Sequence, residues 1–273
     1  MKISVITVVL DELDELIKTH NSILKQCSDE IEWVVVHGGD DVSVAQYIND
    51  NRKSLKTVFI SEPDNGIYDA MNKGVKLCDA DYVVFLNAGD VFSDPEVIQD
   101  VSSVLSKSSH VKVDVLCCSA NLVLSDDRKV LRPAKNVRDY IWHGLPANHQ
   151  ATYYRKESII KFPYDLKYKL CGDYYIAAIM YENNMIFENF DRVVVDFYLD
   201  GISYNWRLDL FKEPFLIQRD ILNLNFRIRV ISLLKRFISN AALRLFQVPY
   251  FGKFVCNLFE LCKMKKTYNL NNR

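Results

Sequence analysis

The sequence predicts an α/β fold: a mostly parallel sheet, doubly wound, with helices on both faces. Three observations predict it. Four apolar, Val- and Ile-rich runs alternate with helical patterns between Met1 and Asp90, the signature of βαβ units with right-handed crossovers. The first two runs are continuously apolar at their centres, as strands buried on both faces require. The chain has 273 residues, 49% hydrophobic and 25% charged. That is ample for one large domain, or one domain with an extension.

The elements follow in order. Ile3 to Leu10 reads as the first strand, and Glu12 to Gln26 as a helix through Leu13, Leu16, Ile17, Ile23 and Leu24. Ile31 to Val36 is a second strand, ending at His37-Gly38-Gly39-Asp40, with a helix expected over Val44 to Asn51. Lys56 to Ile60 is a third strand, Ile67 to Cys78 a helix and Tyr82 to Leu86 a fourth strand. Beyond Asp90 the pattern loosens. A helix is expected over Pro95 to Leu105, then a strand over Val113 to Leu124 with Val130-Leu131 as a hairpin partner. A polar, aromatic loop spans Asn136 to Asn148, and a short strand Ala151 to Tyr154. A helix follows over Tyr174 to Met185, preceded by Cys171-Gly172-Asp173, then a strand over Arg192 to Tyr198 and Asp200-Gly201. From about Asp209 the chain becomes helical, basic and aromatic.

Bulk charge hides an asymmetry. The net charge is −1, yet Ile221 to Arg273 holds ten Lys or Arg and one acid, Glu260. The remainder carries 24 basic and 34 acidic residues, a net charge of −10. A basic tail on an acidic body calls for an anionic partner to the tail. Val230, Leu234, Phe237, Ile238, Ala241 and Leu245 fall on one helical stripe, with Arg227, Arg229, Lys235, Arg236 and Arg244 mostly elsewhere. Such a basic amphipathic helix reads as interfacial. A helix packed on its own domain, or a homo-oligomer interface, are the alternatives. Nucleic acid is not expected as a partner, because the body is acidic and no recognition motif is present.

The seven cysteines form no CxxC pair and read as reduced core thiols of a cytosolic protein. The opening MKISVITVVL is too short and too β-branched for a signal peptide. No run of about 20 apolar residues suggests a spanning helix.

Two blocks stand out. Ser61 to Gly74 reads SEPDNGIYDAMNKG, and Phe85 to Asp90 reads FLNAGD. The second puts an Asp just past the end of a buried strand, where α/β proteins hold ligands and metals. Pro63-Asp64-Asn65-Gly66 has turn chemistry. Asp173 begins a late helix, where it reads equally as an N-cap.

The two blocks together resemble the family 2 glycosyltransferases, whose fold is called GT-A, in the colanic-acid-type branch that builds bacterial surface polysaccharides. The resemblance implies a GT-A domain over 1–208, with a nucleotide-sugar half at 1–95 and an acceptor half at 96–208, and a basic helical extension over 209–273. It implies an inverting transfer of sugar from a nucleotide donor, UDP-sugar before GDP-sugar, to a saccharide or polyprenol-linked saccharide. The enzyme would lie in the cytoplasm, peripheral to the inner membrane, serving O-antigen, capsule or exopolysaccharide assembly.

The same resemblance assigns residues. Asp64 and the helix after it approach the base and ribose, with Asn72 and Lys73 at its Asn-x-Gly end; Lys73 would reach a phosphate or lie solvated. Thr7 and Val9 lie near the base through backbone groups, and His37 stands where the family has an Asp. The metal motif Asp-x-Asp is here Asn87-Ala88-Gly89-Asp90, which leaves Asp90 to hold Mn²⁺ or Mg²⁺ with the substrate phosphates. The alternative is Asp90 as a turn cap, and Asp40 capping the helix after His37. Asp173 is the general base, which inversion needs to deprotonate the acceptor hydroxyl. His149, in Asn148-His149-Gln150, and Trp142 are assigned to acceptor or phosphate.

Two other readings stand beside this one. A nucleotidyltransferase shares the alternating sheet, but Asp11, Glu12, Asp14 and Glu15 would repel a triphosphate at the first loop. A degenerate, non-catalytic scaffold draws on the absence of acids at His37, Asn87 and Gly89.

Overall fold

The computed structural model describes residues 1–28, 30–107, 112–124, 127–198 and 208–247, with side chains to 239. Asp200-Gly201 and the part of the basic extension beyond 247 lie outside these residues, as do the side chains of Ala241, Arg244 and Leu245.

Four parallel strands form one half of the sheet: β1 (Ile3–Val9), β2 (Ile31–His37), β3 (Lys56–Ser61) and β4 (Tyr82–Phe85). Three helices connect them: α1 (Leu13–Leu24), α2 (Val42–Asn51) and α3 (Ile67–Leu77). These are the elements expected from sequence, with ends moved by one or two residues. β1 and β2 are buried along their whole length. Trp33 in β2 is 1% exposed, stacks on His20 of α1 at 4.2 Å and donates its indole N–H to Thr7 Oγ1 at 2.9 Å. Gly74 of α3 faces β1 so closely that a Cβ there would lie 2.5 Å from Ile6 Cγ2. That contact sets how tightly α3 lies on the sheet.

The second half is mixed. It comprises β5 (Val91–Phe92), α4 (Val97–Lys107), β6 (Val115–Val123), β7 (Lys129–Arg132), α5 (Val137–Tyr140), β8 (Thr152–Arg155), α6 (Lys156–Lys161), α7 (Gly172–Glu182) and β9 (Phe187–Tyr198). Among the described residues the sheet order is β3-β2-β1-β4-β8-β6-β9-β5, with β7 on β6. β8 is antiparallel to β4 and β6, whereas β6 and β9 are parallel. The Val130-Leu131 hairpin forms as expected. β5, α5 and α6 were not anticipated. The first two are only 2 and 4 residues long, and α6 is 6, too short to show a period in sequence.

The chain divides into two compact units, Met1–Asn225 and one starting at Phe226. Helix α8 (Asp209–Asp220), placed by sequence in the extension, falls within the first unit. Its Ile217 is fully buried in an apolar cluster with Tyr174, Ala177 and Ala178 of α7. Helix α9 (Phe226–Gln247) opens the second unit and exposes Phe226, Ile231, Leu234, Phe237 and Ile238. No helix among the described residues is long and apolar enough to cross a membrane.

Candidate active site

The site is built at the carboxyl ends of β1, β2 and β4, with β8 and α7 closing it from the second half. The loop after β4 comes first. Gly89 has φ +96, a conformation that favours glycine, so the turn itself accounts for Gly89. Thr19 of α1 holds this loop. Its hydroxyl accepts from Gly89 N–H at 3.0 Å, and its one proton is shared between the Asp90 carbonyl at 2.8 Å and the Asn87 carbonyl at 3.1 Å. Ala88 is anchored through its N–H to the Val8 carbonyl at 3.4 Å.

Asp90 is 6% exposed, and Gln150 Nε2 donates to its Oδ2 at 3.0 Å. Burial pushes its carboxyl up to about 7, against the opposing pull of His149 and the Gln150 hydrogen bond. The Asn87 backbone also bonds to this carboxylate, so Asp90 braces its own turn as well as meeting Gln150. Asn87 Oδ1 is buried and accepts no hydrogen bond, while Asn87 Nδ2 lies 3.3 Å from His149 Nε2.

His149 links the two halves. It sits in a short 3-10 turn (His149–Ala151) before β8, and its Nδ1 lies 3.1 Å from Asp173 Oδ2. Burial works to lower the ring's pKa, but the Asp173 carboxylate outweighs it and holds the ring above its ordinary value. Asp173 is 8% exposed. Tyr164 OH donates to its Oδ1 at 3.2 Å, and Tyr68 OH to its Oδ2 at 3.4 Å. The two phenols stack with centroids 4.9 Å apart. Burial, with Asp173 adding to it, holds both phenols protonated, well above their ordinary range. The N-cap of α7 is Cys171 with no side-chain cap. Asp173 is therefore not a helix cap; its carboxylate is aimed away from the helix backbone at three side chains.

Several assigned residues make hydrogen bonds within the scaffold. Thr7 is fully buried, with its hydroxyl donated to the Leu86 carbonyl at 2.8 Å. The Val9 carbonyl accepts from Gly38 N–H at 3.0 Å. His37 is 2% exposed, its Nδ1 2.9 Å from Ser61 Oγ and its Nε2 3.7 Å from Asp11 Oδ1. It joins the ends of β2 and β3. Asn72 clamps Tyr164: its Nδ2 donates to the Tyr164 carbonyl and its Oδ1 accepts from Tyr164 N–H, both at 2.9 Å. Lys73 binds the Pro63 carbonyl at 2.7 Å and Glu62 at 2.9 Å, which fixes the turn that carries Asp64. Trp142 donates its indole N–H to the Asp139 carbonyl at 3.0 Å and stands beside His143.

Asp64 holds the turn before α3 and lies against the end of β2. Its Oδ1 accepts from Gly66 N–H at 2.8 Å, and its carboxylate lies over Gly38, where a Cβ would fall 2.0 Å from Oδ2. Asp11 lies over Gly39 in the same way and accepts from Asp41 N–H at 2.9 Å. A side chain at Gly38 would displace the Asp64 carboxylate, and one at Gly39 would also meet the Leu10 backbone carbon at 2.8 Å. The cap of α2 is Asp41, which accepts from Ser43 N–H at 2.8 Å, and not Asp40.

Among the described residues no three His, Cys, Asp or Glu side chains gather as a metal cluster. The oxygen set at the β4 loop still fits a hard cation. It offers one carboxylate, Asp90, and the unpartnered Asn87 Oδ1, leaving the other positions to phosphate and water.

Comparison with known proteins agrees with this geometry. The model of Glycosyl transferase family 2 matches residues 4–160, more than half of the chain, and the chain belongs to that family. An uncharacterised glycosyltransferase of Mycobacterium tuberculosis is 29% identical over 173 residues, covering 63% of this chain and 65% of the relative. This chain therefore spans about two thirds of that relative's length. A PGL/p-HBAD biosynthesis glycosyltransferase of Mycobacterium bovis is 26% identical over 188 residues, covering 65% and 69%. Among solved structures, S. aureus TarS with UDP-GlcNAc aligns with TM-score 0.66 and 18% identity, covering 88% of this chain and 73% of that one. A mannosyltransferase of Pyrobaculum calidifontis with GDP-Man and Mn²⁺ aligns with TM-score 0.60 and 14% identity, covering 98% and 82%. The fold is GT-A.

Proposed function

We propose that this chain is an inverting glycosyltransferase that moves a sugar from a nucleotide donor to a saccharide acceptor. The observation that carries the reading is Asp173, a carboxylate oriented by Tyr68, Tyr164 and His149 and joined through His149 to the Asn87–Asp90 loop. Asp173 accepts the acceptor hydroxyl proton as that oxygen attacks the anomeric carbon. The bond from that carbon to the diphosphate breaks on the opposite face, and the diphosphate leaves with the electron pair. The tyrosine and histidine hydrogen bonds leave lone pairs free on the carboxylate for this proton. Asp90, with Asn87, would hold Mn²⁺ or Mg²⁺, which neutralises charge on the leaving diphosphate. The donor nucleotide lies against Asp64 and Asp11, a UDP-sugar before a GDP-sugar.

The test is a thermal-shift panel of UDP-, GDP- and dTDP-sugars with and without Mn²⁺ or Mg²⁺. A ligand that binds only the folded state must raise its stability. A metal-dependent shift for one nucleotide is the expected result. No shift across the panel favours the non-catalytic scaffold reading.

The acceptor we assign is a polyprenol-linked saccharide at the cytoplasmic face of the inner membrane, in surface polysaccharide assembly. Helix α9 supports it, with exposed Phe226, Leu234, Phe237 and Ile238 beside Arg227, Arg229, Lys235 and Arg236. Each basic residue near anionic lipid contributes about 1 kcal/mol. Deleting the chain from Phe226 is expected to abolish co-sedimentation with phosphatidylglycerol vesicles. Unchanged sedimentation would overturn the membrane assignment.

A further inference from the structure

We propose that Glu213, on α8, is a positioning residue for the Asp173 base; this rests on the reading of Asp173 above. Glu213 is 6% exposed. Its Oε1 accepts from Lys169 N–H at 2.7 Å, and its Oε2 from Leu170 N–H at 3.0 Å and Cys171 N–H at 2.8 Å. Three successive backbone donors thus converge on one carboxylate, and they are the three residues directly before α7. Asp173 is the second residue of that helix.

The remaining contacts leave this segment little slack. A Cβ on Gly172 would lie 2.7 Å from the Tyr68 ring, so the backbone already touches the phenol that binds Asp173. Tyr174 OH donates to the Ile141 carbonyl at 2.6 Å, and Gln218 Nε2, also on α8, donates to the Trp142 carbonyl at 3.0 Å. Helix α8 therefore binds both the 169–171 backbone and the 141–142 loop, and α7 binds the same loop. This ring of contacts fixes where Asp173 enters the site. Helix α8 lies beyond the residues matched by the family model, which end at 160.

Glutamine cannot replace the carboxylate. It keeps one acceptor oxygen and turns an NH₂ group toward at least one N–H donor. Alanine leaves all three donors without their acceptor. The rate should therefore fall in the order Glu, Gln, Ala.

The experiment measures nucleotide release from UDP-glucose, UDP-N-acetylglucosamine and GDP-mannose, with water as acceptor, for the full chain and Glu213→Gln, Glu213→Ala and Asp173→Asn. Displacing a catalytic group by about 1 Å costs up to about a hundredfold in rate. We expect kcat to fall about tenfold in Glu213→Gln and about a hundredfold in Glu213→Ala, with donor KM kept within about twofold. Hydrogen exchange at residues 169–173 rises in the same order. The inference is overturned if Asp173→Asn is inactive while both Glu213 variants keep wild-type kcat. It is overturned equally if KM rises and melting temperature collapses in Glu213→Gln, since that marks a structural role alone. If the wild type releases no nucleotide, or Asp173→Asn keeps its rate, the base reading itself fails and this inference with it.

Discussion

Asp173→Asn is expected to lower kcat by about three orders of magnitude, within the range of about 10²–10⁴ that a positioned general base contributes. Donor affinity should change little, because Asp173 is proposed to act on the acceptor hydroxyl and not on the donor. The substitution keeps the size of the side chain. It removes the charge that accepts the acceptor proton and weakens the contact with His149 at 3.1 Å. Tyr164 and Tyr68 donate to different oxygens of Asp173. In the variant one hydroxyl keeps the amide oxygen and the other turns to accept from the NH₂ group, so the fold should persist. The check is a steady-state kcat and KM for donor together with a melting curve. A kcat within about tenfold of wild type would remove Asp173 as the base.

Asp90→Asn is expected to abolish the metal-dependent part of the donor-induced thermal shift, because the site's one carboxylate is lost. Its effect on the metal-free protein should run the other way. Burial pushes the Asp90 carboxyl up to about 7, so between about pH 4 and pH 7 the folded state holds a proton that the unfolded state has released. Stability then falls as pH rises through that window, since the native state binds more protons. The loss has an upper limit of roughly 4 kcal/mol. Asparagine carries no such charge and still offers an oxygen to Gln150 Nε2. At pH 8, without metal, Asp90→Asn should melt higher than the wild type, and at pH 4 the difference should vanish. Equal melting temperatures at both pH values, with the metal shift retained, would remove Asp90 from the metal site.

The first four strands were legible because their signal is local. Ile3–Val9 and Ile31–His37 are buried along their length, so their apolar character shows in consecutive residues. The positions of Asp90 and Asp173 were legible, the one after a strand and the other at a helix start. Their surroundings were not. Tyr164 gives no signal in its own neighbourhood, yet it binds Asp173 and is clamped by Asn72, 92 residues away. Tyr68 reaches Asp173 across 105 residues. Thr19, Gln150 and Glu213 likewise act on segments far from their own. Asn72, Lys73 and His37 were assigned to the donor from the resemblance, and each is engaged with the scaffold.

The sequence by itself determined the alternating sheet and the kinds of side chain available at its carboxyl edge. Burial on both faces imposes a pattern that each strand must satisfy within a few residues. The tertiary structure decided which polar groups meet Asp90 and Asp173 and which brace the sheet. A buried polar group must find partners, and for Thr7, Asn72 and Asp173 those partners come from segments that only the fold brings together.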